Sequence, residues 1–355
     1  MAEQLKPTHG VMEGGGSYNR HARIPAAAGR LTLPILDEAV RSLALASDDR
    51  PVVIADYGSS QGTNSLIPIR AAVKVLRARA GADRPILVVH VDQVANDFNT
   101  LFAVLHSDPD CYSIDDANVF SAAIGRSFYE RVLPRRYVHL GWSSYAAVWL
   151  SRIPSTIPGH FMVLASDGEV RAQFDRQAAE DWKLFLRARA EELAPGGRLV
   201  VVLPGLNDDG KSGFENLFAI ANEVLAEMTA QGVITGEERA RMVLGAYPRL
   251  RSQLLAPFAD DGSCCGLTVA RYDLSPLPDT AWNEYEVDGN QEMLVTRHAR
   301  FFRSVFAPSL AAALAEPERR ERFADELEQR LARRLGERPT PIESFAQTIV
   351  LAKEN

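Results

Sequence analysis

Four short segments hold residues able to do chemistry, and each follows an apolar run or lies close behind one. The first, Asp56-Tyr57-Gly58-Ser59-Ser60-Gln61-Gly62-Thr63-Asn64, is a small-residue turn ahead of a helical stretch. Its open backbone N–H groups and positive dipole end would receive an anion. A dinucleotide fingerprint needs glycines at the first, third and sixth places of such a turn. Counted from Gly58, those later places hold Ser60 and Thr63, so a pyrophosphate cradle is disfavoured and a smaller anion such as an amino-acid carboxylate fits better. Asp56 beside it is placed to pair with an amino group, the alternative being a tight turn kept for packing.

Asp92 closes the next apolar run, Ile86 to Val91. A carboxylate there can accept both hydroxyls of a ribose, which marks nucleoside cofactors in open α/β sheets. It lies 34 positions past Gly58, against roughly 20 in the usual unit. The competing reading is an Asp that caps the next helix, a job for which Asn96 and Asp97 also stand ready. In Gly125-Arg126-Ser127-Phe128-Tyr129, Phe128 is placed to lie against an adenine and Ser127 offers a hydroxyl, unless the ring is simply core. The fourth segment is Trp142-Ser143-Ser144-Tyr145 followed by Trp149, which at helical spacing would put three aromatic side chains on neighbouring turns. Such a stripe is either core or site. Buried indole N–H and phenol O–H groups usually need partners, which a substrate oxygen would provide.

The elements that must position these residues alternate. A helical stretch from Leu33 to Leu45 leads into the apolar run Pro51 to Ala55, and another from Ile67 to Ala80 leads into Pro85 to Val91. Strand candidates follow at Asn118 to Ala123 and Tyr137 to Leu140, then a long helix from Glu169 to Leu193. Pro195, Gly196 and Gly197 stop that helix and turn the chain into the buried strand Arg198 to Leu203. The pattern is α/β with a parallel sheet. Past Gly205 helical stretches dominate (Phe214 to Gln231, Gly236 to Val243, Gln291 to Leu314, Glu318 to Leu335), with strand candidates at Leu267 to Leu274 and Ile349 to Ala352. The expected organisation is an α/β core over 1–205 whose first sixteen residues form a mobile arm, a mostly helical cap over 206–335, and a return to the sheet edge over 336–355.

Composition narrows the class. A chain of 355 residues with 46% hydrophobic and 24% charged residues is globular, and a net charge of -7 without a basic block gives no support to nucleic-acid binding. No apolar run approaches the roughly 20 residues that cross a bilayer, and the opening residues lack the succession of a signal peptide, so a cytoplasmic protein is expected. Cys111, Cys264 and Cys265 suit neither a disulfide framework nor a metal cage; they read as structural thiols, and no metal is expected. The seven histidines are scattered, with His90 and His139 reading as satisfied core imidazoles. No nucleophile elbow, His-Glu-x-x-His or phosphate loop occurs, so hydrolase and metalloenzyme readings fall back.

Taken together the segments resemble the SABATH family of S-adenosylmethionine-dependent methyltransferases, which methylate salicylic, benzoic and jasmonic acids and xanthine alkaloids; a bacterial member is expected. The likeness is carried by Gly16-Ser17-Tyr18, Ile54 to Asn64, Asn96-Asp97-Phe98-Asn99, Ser127-Phe128-Tyr129 with Pro134-Arg135, Ser143-Ser144-Tyr145 with Trp149-Leu150-Ser151, and Glu180-Asp181 through Pro195-Gly196-Gly197-Arg198. It runs from about residue 12 to 205 and fades afterwards.

The resemblance implies a Rossmann-like class I methyltransferase sheet ending in an antiparallel edge strand, under a helical cap. It implies that Tyr18, Asp56, Gly58, Ser59 and Asn64 surround the methionyl part of S-adenosyl-L-methionine, that Asp92 with the neighbouring Gln93 holds the ribose, and that Ser127 and Phe128 hold the adenosine. Tyr145, Trp149 and Trp142 match acceptor-site positions, Trp142 standing where relatives have His. Pro25 stands where the carboxylate-methylating relatives carry a Gln, and it brings no donor. His21 and Arg23 are nearby candidates to hold an acid, Arg23 in two-pronged fashion. Trp282, Tyr285 and Phe306 are possible liners of the far end.

The implied reaction gives a methyl ester of a small organic acid and leaves S-adenosyl-L-homocysteine. A carboxylate is already ionised at neutral pH, with a pKa of roughly 4, so in-line displacement needs no general base and positioning by Trp149 and Tyr145 is the main task. N-methylation of a small heterocycle, a noncatalytic cofactor-binding protein and a nicotinamide dehydrogenase are the competing readings, the last opposed by the glycine spacing. The partner is a small molecule, with a homodimer possible.

Overall fold

The computed structural model describes residues 10 and 12–354. The elements run α1 (Ser17–His21), α2 (Arg23–Leu31), α3 (Leu33–Arg41), β1 (Val52–Tyr57), α4 (Thr63–Ala80), β2 (Ile86–Asp92), α5 (Phe98–Ser107), β3 (Val119–Gly125) and β4 (Val138–Ser144). Then come α6 (Gly168–Glu192), β5 (Leu193–Pro204), α7 (Glu215–Ala230), α8 (Gly236–Arg241), α9 (Arg251–Leu255), β6 (Ser263–Cys264), β7 (Leu267–Pro276), α10 (Thr280–Asp288), α11 (Gln291–Ala311), α12 (Pro317–Glu337) and β8 (Phe345–Lys353).

The continuous apolar runs become central parallel strands because both of their faces are covered. All six residues of β1 are buried. Val52, Ile54, Trp142 and Val200 pack under α3 and α4, while Val53, Ala55, Tyr57, Leu199 and Val201 pack towards α6 and the cap. Each fully buried Val, Ile or Leu contributes about 1.5–3 kcal/mol relative to exposure, which fixes this register strongly.

The sheet order is β3-β2-β1-β4-β5-β8-β7-β6. β1 to β5 pair parallel, and β8 joins β5 antiparallel. Strand order reverses between β1 and β4, so a crevice opens at their carboxyl ends, where ligands of such sheets bind. Tyr57, Asp92, Gly125 and Ser144 all end strands there.

Three expectations change. β8 is interior, because β7 pairs with its outer side and β6 with β7. The segment 206–335 is therefore not all cap, since β6 and β7 within it extend the core sheet. The mobile arm does not hold for the part described: Gly10 N donates to Ser309 Oγ at 3.2 Å, Glu13 N to Ser304 O at 3.2 Å, and Gln61 Nε2 to Glu13 O at 2.6 Å. Residues 1–9 and 11 of that arm lie outside the described residues.

Candidate active site

β1 delivers the chain to a turn whose shape requires glycine. Gly58 has φ 88° and Gly62 φ 91°. A Cβ on Gly58 would sit 2.0 Å from Ala146 Cβ, and one on Gly62 2.6 Å from Leu101 Cδ1, so both sites exclude a side chain on conformational and steric grounds. Part of the backbone is used: Gly58 N reaches Val91 O at 2.7 Å and Ser60 N reaches Asp92 Oδ2 at 2.7 Å. Of the side chains, Gln61 Nε2 donates to Glu13 O and Asn19 Nδ2 to Gln61 O, but other polar atoms are left over. Ser59 Oγ, Ser60 Oγ, Gln61 Oε1, Asn64 Nδ2 and the adjacent Asn19 Oδ1 are buried with no hydrogen-bond partner. Each such atom costs about 1–3 kcal/mol. Their concentration on one turn, acceptors beside donors, fits the ammonium and carboxylate of a bound amino-acid moiety. Tyr18 adds a phenol against the Asn64 side chain, and burial pushes its pKa up to about 12 against the pull of that contact.

At the next strand end, Asp92 accepts from Ser60 N and Gln93 N, both at 2.7 Å. Burial raises its pKa to about 6 against the pull of those two N–H groups, with repulsion from Asp56 adding to the rise. It does not cap the following helix, because Asp97 does, accepting from Thr100 N at 3.0 Å. Gln93 is half-buried beside it. Arg126 N donates to Asp92 O at 2.8 Å, which draws the next turn alongside. There Ser127 Oγ accepts from Tyr129 N at 3.3 Å, and the Phe128 ring is buried edge-on to Phe185, its Cε1 3.7 Å from where a Gly58 Cβ would lie.

The brace behind this turn escaped the sequence reading. Arg189, fully buried, donates to Phe128 O at 2.7 Å and Glu130 O at 2.8 Å. Its Nε lies 2.9 Å from Glu192 Oε2 but out of line for a hydrogen bond, while Nη2 donates to Oε1 at 3.0 Å. Glu192 also takes the Tyr57 hydroxyl at 2.6 Å and the N–H groups of Val132 and Leu133. An Arg and a Glu three apart on an apolar helix face were the available signal.

Asp56, near the end of β1, has a partner that the sequence did not announce. Strand alternation turns it to the α3–α4 face, where its Oδ2 meets His90 Nδ1 at 2.9 Å; His90 Nε2 meets Tyr112 OH at 2.8 Å. That bond engages one oxygen of the carboxylate and leaves Oδ1 as the atom that could meet an amino group at the end of β1. His90 and His139 are satisfied as read, His139 Nδ1 accepting from Val53 N at 3.1 Å.

An apolar pocket of about 60 Å³ adjoins the turn, and its lining contains no charged residue. Tyr145, Trp149, Pro25 and Met12 line it, together with Phe301 and Phe306 of α11. Tyr145 stands at φ 58° just past β4, its N–H on Val202 O at 2.8 Å. Its hydroxyl is buried without a partner, and burial holds its pKa far above the ordinary range. Trp149 packs against Gly10, where a Cβ would come within 3.0 Å of the indole. Ser212 is spoken for, donating to Glu215 Oε1 at 2.8 Å.

Other candidates fall elsewhere. Trp142, Tyr145 and Trp149 do not share a helix: Trp142 is on β4, fully buried in the opposite core, because strand alternation followed by a left-handed residue replaces the assumed helical spacing. His21 and Arg23 line a separate small cleft with Asp279, Arg297 and His298, and Phe301 stands on the border between the two. Burial, with Arg300 and Arg20 nearby, lowers the His21 pKa. Phe306 lines the pocket, but Trp282 and Tyr285 pack on each other, centroids 5.3 Å apart, away from it.

A switch-point crevice with unpartnered polar side chains, beside an apolar pocket, has the chemistry to hold a cofactor that joins an amino acid to a nucleoside next to an apolar acceptor. The sequence profile described as SAM dependent carboxyl methyltransferase matches residues 3–354. Salicylate carboxymethyltransferase of Clarkia breweri is 30% identical over 272 residues, covering 71% of this chain and 73% of that protein. Methyltransferase LUC1 of a Fusarium species is 30% identical over 244 residues, 67% of this chain and 63% of that protein, so the match spans less than two thirds of its length. The solved structure of loganic acid methyltransferase with SAH has the same fold, with TM-score 0.81 at 23% identity and coverage of 97% and 99%. The chain belongs to the family of SAM-dependent carboxyl methyltransferases. Its cofactor is S-adenosyl-L-methionine and its reaction methylation of a carboxylate. The relatives named here are plant and fungal and lend no support to a bacterial source.

Proposed function

We propose that the acceptor is a small organic acid with an apolar body, methylated to its ester, with Tyr145 and Trp149 positioning the carboxylate. The observation that carries this is the unpartnered Tyr145 hydroxyl at the edge of a pocket lined by no charged side chain. A carboxylate satisfies that donor, while a second charge or a sugar would be buried against apolar walls at a cost of several kcal/mol. No base lines the pocket, which suits an acceptor already ionised at neutral pH better than a heterocyclic N–H that must lose a proton.

In this reading Ser59, Asn64 and Tyr18 hold the methionyl end, Asp92 with Gln93 the ribose, and Ser127 with Phe128 the adenosine. Bound there, S-adenosylmethionine supplies the methyl group as a sulfonium. The chain's own task is to hold the acceptor oxygen in line and exclude water. Labelled methyl transfer to a panel of aromatic, terpenoid and fatty acids tests this: the product should be an ester cleaved by mild alkali, and an alkali-stable N-methyl product would replace it with the heterocycle reading.

A cytoplasmic homodimer belongs to the same proposal. Three free cysteines, one of them exposed, suit a reducing compartment. The outer edge of β3, with Phe120 half exposed, offers a surface for a second copy. Light scattering should give twice 39.0 kDa.

A further inference from the structure

The segment from Tyr145 to Ser151, which carries both acceptor-facing aromatics, belongs to neither a helix nor a regular strand, so its backbone groups must find partners one by one. Several come from the stretch 245–249: Leu150 N donates to Gly245 O at 2.7 Å and Tyr247 N to Val148 O at 2.8 Å, the pair of bonds that bridges Trp149 to Ala246. Behind the segment lies one buried cation, Arg249, with 2% exposure. Its Nη1 donates to Ala147 O at 2.7 Å, midway between Tyr145 and Trp149, and its Nη2 to Ala178 O on α6 at 2.9 Å. The Tyr129 hydroxyl lies against the same guanidinium and donates to Trp149 O at 2.5 Å. The Arg249 carbonyl accepts from Gln347 Nε2 of β8 at 2.8 Å. One side chain thus ties the acceptor segment to α6, while its backbone is tied to the sheet.

The guanidinium makes no ion pair among the described residues, and its Nε is without a partner. Asp181, which attracts it from a distance, spends its oxygens on Ser151 and Gln177. Burying a cation without a directly paired carboxylate is costly, and a packed apolar side chain would fill the same space without that cost. What only a planar fork supplies is two donors held at a fixed angle to carbonyls on two different elements.

We propose that Arg249 is a positioning residue for the acceptor: through Ala147 it sets the separation and orientation of the Tyr145 hydroxyl and the Trp149 indole, the pair that must meet the two oxygens of one carboxylate. This rests on the acceptor reading given above. Arg249 hydrogen-bonds to Ala147, Ala178 and, through its carbonyl, Gln347, and makes no direct contact with the turn at Gly58–Gly62 or with Asp92, so its effect is expected on the acceptor first.

The test is steady-state kinetics of full-length Arg249→Met and Arg249→Lys with the best acid of the wild-type panel, alongside calorimetric titration with S-adenosylhomocysteine. Arg249→Met should raise the acceptor KM at least tenfold while the S-adenosylhomocysteine Kd stays within twofold. Arg249→Lys keeps the charge but loses the fork, and should recover less than a third of the lost kcat/KM. An acceptor KM within twofold of wild type, a Kd that shifts in step with KM, or full rescue by Lys would each overturn the proposal. Tyr129→Phe, which removes the neighbouring bond to Trp149 O without emptying the core, covers the case in which Arg249→Met does not fold. It should raise the acceptor KM at least threefold at unchanged Kd, and no rise would count against the proposal. If the wild-type enzyme esterifies no acid, the acceptor reading itself fails; if it does and Arg249→Met matches it, only the role of Arg249 fails.

Discussion

Replacing Tyr145 with Phe should move stability and activity in opposite directions. In the free protein the Tyr145 hydroxyl is buried and unpartnered, a desolvation cost of about 1–3 kcal/mol. Removing the oxygen relieves that cost and leaves a gap smaller than a methyl group, so Tyr145→Phe should gain on the order of 1 kcal/mol of folding stability. The acceptor carboxylate, by contrast, loses a hydrogen bond to an ion, worth about 1.5–3 kcal/mol. At about 1.4 kcal/mol per factor of ten, kcat/KM for the acid should fall roughly 10- to 100-fold. The assays are equilibrium urea unfolding of the apo proteins and methyl-ester formation with varied acid at saturating S-adenosylmethionine. A variant that is both less stable and fully active would refute the claim that this hydroxyl waits for the acceptor.

Asp92, with its pKa raised to about 6, should make S-adenosylhomocysteine binding weaken as pH falls through 6, since only the ionised form accepts both ribose hydroxyls; Asp92→Asn should bind weakly and without that dependence, as calorimetry from pH 5 to 8 would show. The same raised pKa means the folded protein holds a proton that the unfolded chain has lost between about pH 4 and 6, so this group's contribution to stability declines as pH rises across that window; a urea titration that showed Asp92→Asn unchanged in slope against pH would contradict it. Gly58→Ala forces a Cβ to 2.0 Å from Ala146 in a left-handed conformation, and should cut cofactor affinity at least tenfold by fluorescence titration. Glu13→Gln takes the charge out of the contacts to Arg303 at 2.9 Å and Ser17 at 2.5 Å and leaves one acceptor for the two donors, and should speed S-adenosylhomocysteine release several-fold in stopped flow.

The central strands and the glycine turn were legible because their signals are local: continuous apolar runs closed by a carboxylate, and glycines where φ must be positive. β7 was not placed in the sheet, because Leu267–Pro276 is half exposed along most of its length and so lacks the apolar run that marks a covered strand. Trp142 was misplaced for a related reason, since a spacing of three and four residues says helix only when nothing interrupts it, and Tyr145 at φ 58° does. Asp56 shows a third limit: sequence locates a carboxylate at a strand end but does not say which face it takes. The buried Arg189 and Arg249 braces depend on carbonyls contributed by distant loops, and no periodicity announces those.

Met12, Tyr145 and Phe306 meet in one cavity although nearly three hundred residues separate the outer two. The proposed donor cradle draws on residues between Tyr18 and Phe128, whereas α11 adds Phe301, Val305 and Phe306 to the lining of the pocket proposed for the acceptor. In a library aimed at acceptor choice, Phe301, Val305 and Phe306 are the positions to diversify, with Arg303, Ser304 and Ser309, which hold the segment ahead of Tyr18, left unchanged.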